Sequence, residues 1–384
     1  MKLTNQYKQY FLSMFVTLGL EKPALAAYEA LTQNQETRTI CNVSEEVLES
    51  YPSENDHRGT ILIFIKDSNP VLQFVLASAL KLRDYNPILV ANFGSLPLET
   101  TLKYHWIEKS HLAVKRYNMT KFEREFNLPV CPIGAFLKSH YEHPTVSHLR
   151  IGDAFRYGDI DITPPAIAST RRYLQRYSLD SSSPEHNRVF RDFLLDGVMI
   201  AHAINNVLND QNVIAGIFGE DAYVHGHIPA QVLEKQHVPA YQPVKGRVHD
   251  HISFKLGHRG NRSKDPYQHS IVDAVREYEM TEDDRKLLRA HLPQTSGESV
   301  RSTRYTPNKA TGVPRSDRFT VLVLSHLLWD GALAPTDALF PDFFQWLKCT
   351  IDTLAVHPEM NVYLKAHPGE AIRGTNETLN EWLQ

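Results

Sequence analysis

The sequence predicts an α/β protein whose parallel β-sheets are covered by helices, and three observations support this class. Short apolar runs, such as residues 61–65 (ILIFI), are typical of strands buried on both faces of a parallel sheet. Amphipathic helical patterns separate these runs, as in βαβ units. The alternation of strand and helix starts again after a Ser-, Thr- and Pro-rich stretch at 294–317. We therefore expect two domains.

Composition narrows the classes of function. The chain has 384 residues, with 41 Lys and Arg against 44 Asp and Glu, and a formal net charge of −3. We expect no nucleic-acid partner, because such proteins usually carry a basic excess. Cys41, Cys131 and Cys349 are far apart and show no CxxC spacing, so we expect a cytoplasmic protein without disulfides or a thiolate metal site.

The N-terminal segment has two interpretations. Lys2 and Lys8 precede an apolar run (YFLSMFVTLGL), which is the order found in secretory signals. Glu21 and Lys22 follow that run directly, and the apolar spacing within 11–18 favours a helix packed on a core. No apolar run approaches the roughly 20 residues of a membrane-spanning helix. We expect the packed helix and no integral membrane segment.

The first βαβ unit places a polar loop at a position where ligands bind. A strand at 61–65 is followed by a loop at 66–69, a helix whose first residue is Pro70, and the strand NPILVANFG at 86–94. The loop lies at the carboxyl edge of the predicted sheet, where open α/β folds bind ligands. Its residues are candidate acceptor contacts or a plain helix cap: Lys66, Asp67, Ser68 and Asn69.

A second such unit brings acids and imidazoles together. We predict a helix at 190–208, a buried strand at 212–219, a loop at 220–228, a helix at 229–236 and a short strand at 238–242. Glu220 and Asp221 in the loop are candidates for a general base, and Tyr223 and His225 for acceptor contacts. His225 and His227 with Asp221 would give a metal site, but neither a helical HxxxH pattern nor a further spaced ligand supports it, so we expect no metal.

Basic groups occur in two further segments. Residues 150–165 predict an irregular loop, and the basic helix at 168–177 (ASTRRYLQRY) faces either water or anionic lipid that carries an acceptor. In GHRGNR, at 257–262, Arg259 and Arg262 beside glycines either clamp a phosphate or form a solvated turn.

The pattern after the linker predicts the beginning of another α/β domain. A buried strand at 319–324 leads into a polar loop with Ser325, Trp329 and Asp330. A helix with the stripe of residues 343, 347, 351 and 354 follows, and then a strand that ends in His367 and Pro368. A last helix starts near Asn376, which we predict as its cap.

These motifs resemble GT-B-type glycosyltransferases, which have two Rossmann-like domains, and specifically proteins of capsule and surface polysaccharide biosynthesis. The resemblance is carried by LSHLLWDGAL at 324–333, FFQWLKCTID at 343–352 and VYLKAHPGE at 362–370, and less closely by residues 214–241. It implies an acceptor-side domain at 1–293, a linker at 294–317 and the start of a donor-binding domain at 318–384. In that family the second domain is much longer, so we expect this one to be incomplete.

The resemblance also implies an activity. The expected reaction moves a sugar from a nucleotide-sugar donor to a surface or capsular polysaccharide acceptor, free or lipid-linked, with no other cofactor. Such an enzyme would be cytoplasmic and could associate peripherally with the inner face of the membrane. Two alternatives stay open, namely a catalytically silent fragment or binding module of such an enzyme, and a sugar-nucleotide epimerase.

Roles for the second-domain residues follow from the same resemblance. His367 is the expected donor-phosphate ligand, and four other residues are candidates for the same role: Glu370, Lys365, Ser325 and Arg259. Glu370 would equally suit a helix start, and Lys365 an outward strand position. Asp330 is either a general base or the cap of a turn.

Overall fold

The computed structural model describes fourteen stretches of the chain. These are 58–65, 70–91, 118–137, 141–142, 144–219, 222–245, 252–256, 281–283, 285–286, 317–330, 339–340, 342–367, 369–370 and 375–383. The predicted N-terminal helix and nearly all of the predicted linker lie outside them. The chain divides into two compact units, Met1–Ala166 with Ser183–His258, and Ile167–Ser182 with Arg259–Gln384. The second unit thus takes in the basic segment 167–182, which the sequence had placed in the N-terminal domain.

The first unit is built on a six-stranded sheet. Its strands are β1 (Thr60–Ile65), β2 (Asn86–Ala91), β3 (Val130–Pro132), β6 (Val213–Ile217), β7 (Ala240–Lys245) and β8 (Ile252–Leu256). The spatial order is β3-β2-β1-β6-β7-β8. The first five strands are parallel and β8 is antiparallel. This confirms the α/β class and the parallel sheet, whose strand order is doubly wound.

Helices cover this sheet, and a short hairpin joins it. In the first unit the helices are α1 (Val71–Lys81), α2 at 118–126, α4 (Pro184–Asp210) and α5 (Val224–Lys235), while α3 (Thr163–Leu174) runs across the unit boundary. The predicted irregular loop at 150–165 was wrong in part, because Arg156–Tyr157 (β4) and Ile160–Asp161 (β5) form an antiparallel hairpin. Gly158 at its tip has φ +57°, which a glycine adopts without steric cost.

Aromatic packing holds α1 and α2 against the first two strands. Phe74 is fully buried, and its ring centroid lies 5.7 Å from that of Phe122 and 5.4 Å from that of Phe126. Ile63 and Leu89 from neighbouring strands complete the same core. β1 is buried along its whole length, as its unbroken apolar run predicted.

Helix α4 is the central element of the first unit. It begins at a Ser183 cap, which accepts a hydrogen bond from the His186 N–H, and Pro184 occupies the first helical position. Seventeen of its 27 residues are buried. A methyl group added at Gly197 would lie 2.5 Å from Cγ2 of Ile162, so only glycine allows this close approach. The predicted helix at 190–208 was therefore right in kind and too short.

The structure corrects the prediction for the segment after β6. Residues 224–228 are not a loop, because α5 begins at Val224 and contains Pro229 in its interior. Proline is tolerated near a helix start, although it cannot donate the hydrogen bond to the carbonyl four residues earlier. His225 and His227 thus lie in the first turn of a helix.

The described part of the second unit contains a parallel βαβ unit. Phe319–Leu324 (β9) pairs in parallel with Met360–Lys365 (β10), and α6 (Phe343–Ala355) connects them. The expectation that β9 is buried on both faces was wrong, since Leu322 and Leu324 are 47% and 60% exposed. Among the described residues of the second unit this two-stranded sheet is the only one, so a complete second Rossmann-like domain stays a prediction.

The last helix, α7 (Leu379–Leu383), is shorter than predicted and has a different cap. Thr378 Oγ1 accepts from the Glu381 N–H at 3.3 Å, and a Glu381 carboxylate oxygen accepts from the Thr378 N–H at 2.7 Å. This reciprocal pair is a capping box. Asn376 does not cap the helix, because its side chain donates to the carbonyl of Leu174 at 2.8 Å.

Among the residues that the structure describes, none of the helices combines the length and the apolar character that crossing a membrane requires.

Gly197→Ala should destabilise the first unit although alanine is the better helix former. The added methyl would press on Ile162, and such overpacking costs about 1–3 kcal/mol, more than the helix-propensity gain of roughly 1 kcal/mol. We expect the variant to unfold at a lower midpoint concentration of denaturant than wild type. Asn209→Ala, at an exposed position of the same helix, is the control and should leave the midpoint nearly unchanged. An unchanged or higher midpoint concentration for Gly197→Ala would contradict this packing.

Candidate functional site

The carboxyl ends of β1 and β6 lie side by side in the first sheet. The two strands pair in parallel, with Ile63 opposite Ile217, and the strand order reverses between them. Open α/β sheets bind ligands at such a reversal point. Five predicted site residues follow these two strands and lie outside the described residues: Lys66, Asp67, Asn69, Glu220 and Asp221. Their roles stay predictions.

A buried aspartate, Asp196, lies beside His225, one of the predicted site residues. Asp196, on α4, is 0% exposed, and its Oδ2 lies 3.5 Å from Nε2 of His225 in the first turn of α5. The distance exceeds the roughly 3.2 Å of a well-formed hydrogen bond, although such bonds are often long before substrate binds. The His225 side chain is 29% exposed, so one end of the pair is buried and the other reaches the surface.

Local packing explains why this pair forms. Gly197, beside Asp196, lets α4 approach the hairpin residue Ile162 and brings Ile228 of α5 within 3.7 Å of the glycine's Cβ position. The ring of Phe193, one helical turn before Gly197, meets the ring of His225 edge to face at 6.4 Å. An aromatic contact and a carboxylate thus fix the imidazole on two sides.

The pair has a definite chemical capability. When a neutral His225 ring points Nε2–H at the carboxylate, its lone pair is on Nδ1. A buried carboxylate then orients the ring and compensates the positive charge that appears when Nδ1 takes a proton. Such an arrangement can serve as a general base for a hydroxyl group. Tyr223, the other predicted acceptor contact here, is only 6% exposed and precedes α5 as its N-terminal flanking residue.

Another histidine, His202 on α4, contacts two tyrosines. The hydroxyl of Tyr157 lies 2.8 Å from Nδ1 of His202, and the ring of Tyr141 lies 4.8 Å from the same imidazole. Burial, reinforced by the neighbouring Tyr157, raises the pKa of Tyr141 to about 12, and burial raises that of Tyr157 as well. Both phenols therefore stay protonated at neutral pH, and the Tyr157 hydroxyl acts as a structural hydrogen-bonding group.

In the second unit the structure brings two predicted phosphate ligands together. Ser325 follows β9 and His367 follows β10, at the same edge of their sheet. Ser325 Oγ accepts from the His367 N–H at 3.1 Å and donates to the carbonyl of Lys365 at 3.1 Å. The hydroxyl therefore joins the ends of both strands and fixes the backbone that carries the imidazole.

The tautomer of His367 follows from its contacts. Gly369 N–H donates to Nδ1 at 2.9 Å, so Nδ1 accepts and the neutral ring carries its proton on Nε2. A side chain at position 369 would lie 2.7 Å from this nitrogen, which explains the glycine. His326 lies nearby, its ring 5.6 Å from that of His367 and stacked on Phe343 at 4.5 Å.

Three other predicted residues have structural contacts. Asp330 Oδ1 lies 3.2 Å from Nη1 of Arg172 in an ion pair, and both predicted roles of Asp330, general base and turn cap, stay predictions. The Glu370 N–H donates to the carbonyl of His367 at 3.0 Å, and its carboxylate is 3.5 Å from the Leu379 N–H. Lys365 is exposed, which suits its outward strand position. Arg259 lies outside the described residues.

The basic segment 167–182 contributes part of the second unit's core. Tyr177 stacks on Phe344 at 4.2 Å and donates its hydroxyl to Asp342 at 2.9 Å. Asp342 also caps α6 by accepting from Gln345 N–H, and the Arg171 guanidinium lies 4.2 Å over the Tyr177 ring. Burial is the main cause that raises the pKa of Tyr177 to about 12. Arg171 and Arg172, for which we expected contact with either water or anionic lipid, both have acidic partners inside this unit.

No group of three or more metal-ligating side chains occurs among the described residues. His225 and His227 are two positions apart in α5, which places them on nearly opposite sides of the helix.

Sequence reasoning missed Asp196, yet a signal for it exists. It is the only charged residue in the apolar run FLLDGVMIAHAI, at 193–204. Charged residues are rarely fully buried unless they are paired. An isolated acid on the apolar face of a predicted helix therefore indicates a buried partner, although the partner itself is distant in sequence.

Glu370→Gln should make stability less dependent on pH. Partial burial raises the Glu370 pKa above its ordinary 4.5, helped by the Glu381 carboxylate and opposed by the Leu379 N–H. Protonation of Glu370 therefore stabilises the folded protein. This stabilisation is fully present below the pKa that Glu370 has in the unfolded chain and is lost as pH rises through its pKa in the folded protein. Melting temperatures of both proteins from acidic to neutral pH would show the variant gaining on wild type as pH rises.

Glu359→Gln is a matched control for which we expect the opposite dependence of stability on pH. Hydrogen bonds from its own backbone and from His357 lower the pKa of the exposed Glu359. Glu359→Gln should therefore lose stability relative to wild type as pH rises through that range. If the melting temperatures of Glu370→Gln and wild type changed with pH in the same way, the role given to Glu370 would be ruled out.

The comparisons with known proteins returned no similarity. No family model matches the chain, and neither a curated protein nor a solved structure is significantly similar to it.

Proposed function

We propose that this protein is a glycosyltransferase that moves a sugar from a nucleotide-sugar donor to a hydroxyl group of a surface or capsular polysaccharide. The two units would be the two domains of a GT-B-type enzyme. The first would bind the acceptor and the second the donor. The observation that carries the proposal is the pair of buried Asp196 and partly exposed His225 near the carboxyl edge of a doubly wound sheet.

The reaction assigns one task to the first unit. Nδ1 of His225 takes the proton of the acceptor hydroxyl while Nε2–H stays directed at Asp196. The hydroxyl oxygen forms a bond to the anomeric carbon of the donor. The bond from that carbon to the nucleotide phosphate oxygen breaks, and the leaving phosphate takes the electron pair.

The second unit would supply donor contacts. The neutral His367 ring carries a proton on Nε2, which suits hydrogen bonding to a phosphate oxygen. Ser325 holds the backbone of His367 in place and acts as a positioning residue. His326, which stacks on Phe343 beside it, adds a second imidazole to the same strand edge.

His225→Ala should lower kcat by about 10²- to 10⁴-fold, the usual contribution of a general base, and leave the donor KM nearly unchanged. His367→Ala should mainly raise the donor KM. The measurement is release of nucleotide from UDP-, GDP- and CMP-sugars by the full chain with oligosaccharide acceptors. His357→Ala, an exposed histidine paired with Glu359, is the control and should retain wild-type rates.

Several outcomes would contradict the proposal. Full activity of His225→Ala would remove the Asp196–His225 pair from the mechanism. A melting temperature raised by nucleotide diphosphates without turnover of any donor would indicate the silent binding module. Conversion of a single donor in the absence of acceptor would indicate the epimerase.

A further inference from the structure

A narrow crevice lies at the carboxyl edge of the first sheet, between β1, β6 and helix α1. Its walls are apolar: Phe64, Leu72, Leu76, Ile217 and Phe218. Its volume of about 10 Å³ is roughly what one water molecule needs. The space therefore admits a single oxygen atom, such as that of a water molecule or of one hydroxyl group.

One polar side chain lines this crevice. Gln73, on α1, has its Oε1 enclosed, and among the described residues no donor lies within hydrogen-bond distance of it. A buried carbonyl oxygen without a donor is costly, and such groups usually have a partner. The crevice thus combines apolar walls with one acceptor that requires a donor.

The local sequence explains why this acceptor has no partner from its own helix. Gln73 is the third residue of α1, the position from which a side chain normally accepts the N–H of the capping residue. The capping residue here is Pro70, which has no N–H. Helix formation therefore leaves the amide oxygen available for a group that enters the crevice.

We propose that this crevice is a hydroxyl subsite, in which one O–H group of a bound sugar inserts between β1, β6 and α1 and donates to Oε1 of Gln73. A hydroxyl fits because it is small and can donate. Phosphate and carboxylate groups are larger and, when ionised, only accept, so they do not satisfy this oxygen. That the ligand is the acceptor sugar rests on the proposed function.

Binding without turnover tests the subsite. The probes are methyl glycosides of glucose, galactose and N-acetylglucosamine, titrated into the full chain and followed by ligand-observed NMR. Gln73→Leu removes the acceptor at similar volume and should weaken the glycoside that binds best by about 10- to 100-fold, in the range expected for one lost buried hydrogen bond. The deoxy analogue that lacks the inserted hydroxyl should bind wild type and Gln73→Leu equally.

Two further variants keep the test decisive. Gln73→Asn keeps the amide but withdraws it by one methylene, and it should also weaken binding if the leucine variant does not fold. Gln231→Leu is the matched control, because both amide atoms of Gln231 already bond to the Asp161 backbone at 3.3 Å. It should lose stability and keep glycoside affinity.

The contrary results are equally specific. Wild type that binds no glycoside, or Gln73→Leu that binds as well as wild type, would overturn the subsite. Equal weakening of hydroxyl and deoxy ligands by Gln73→Leu would show that the crevice holds only an ordered water. Glycoside binding that depends on Gln73 without sugar transfer from any nucleotide-sugar would keep the subsite and reject the transferase.

Discussion

The close approach of other elements to helix α4 at Gly197 is the constraint on which the first unit depends. The helix is about 40 Å long at 1.5 Å per residue, and the missing side chain at 197 lets Ile162 press against its backbone. Polar residues along α4 also fix irregular backbone, because Asn187 accepts from the Ile151 N–H and Asn206 donates to the Phe136 carbonyl. The same helix leads into β6 and supplies Asp196.

Each unit holds an imidazole close to the carboxyl ends of its strands, but the two rings are fixed by opposite kinds of partner. His225 lies 3.5 Å from a buried carboxylate oxygen of Asp196. His367 receives a backbone N–H on Nδ1, a bond that exists only while that nitrogen is unprotonated. The first environment suits a group that takes up a proton, and the second suits a neutral donor to a ligand oxygen.

The regular elements could be predicted from sequence because their burial follows from local pattern. The apolar run of β1 and the period of α4 each carry their own signal. The start of α5 could not be predicted, since proline favours the first position of a helix, where we placed Pro229, and here it lies inside one. The exposure of Leu322 on β9 could not be predicted either, because its run reads like that of β1, and whether both faces are covered depends on distant parts of the chain.

The site was predictable only in part. Ser325 and His367 each follow a strand of the same parallel pair, so their meeting follows from topology. Asp196 and His225 come from two helices that meet through packing at a glycine, which no local pattern encodes. The pairing of Asp330 with Arg172 joins segments 158 positions apart, which sequence spacing cannot indicate.

Pro229 has a mechanical consequence for His225. The residue four positions before this proline is His225, so α5 lacks the backbone bond that would normally link the carbonyl of His225 to the turn after it. The opening turn is still closed on itself by His227 N–H donating to the Tyr223 carbonyl at 2.8 Å. One backbone hydrogen bond fewer therefore links the turn that carries His225 to the turn after it, so less hydrogen bonding opposes a tilt of that turn against the rest of the helix.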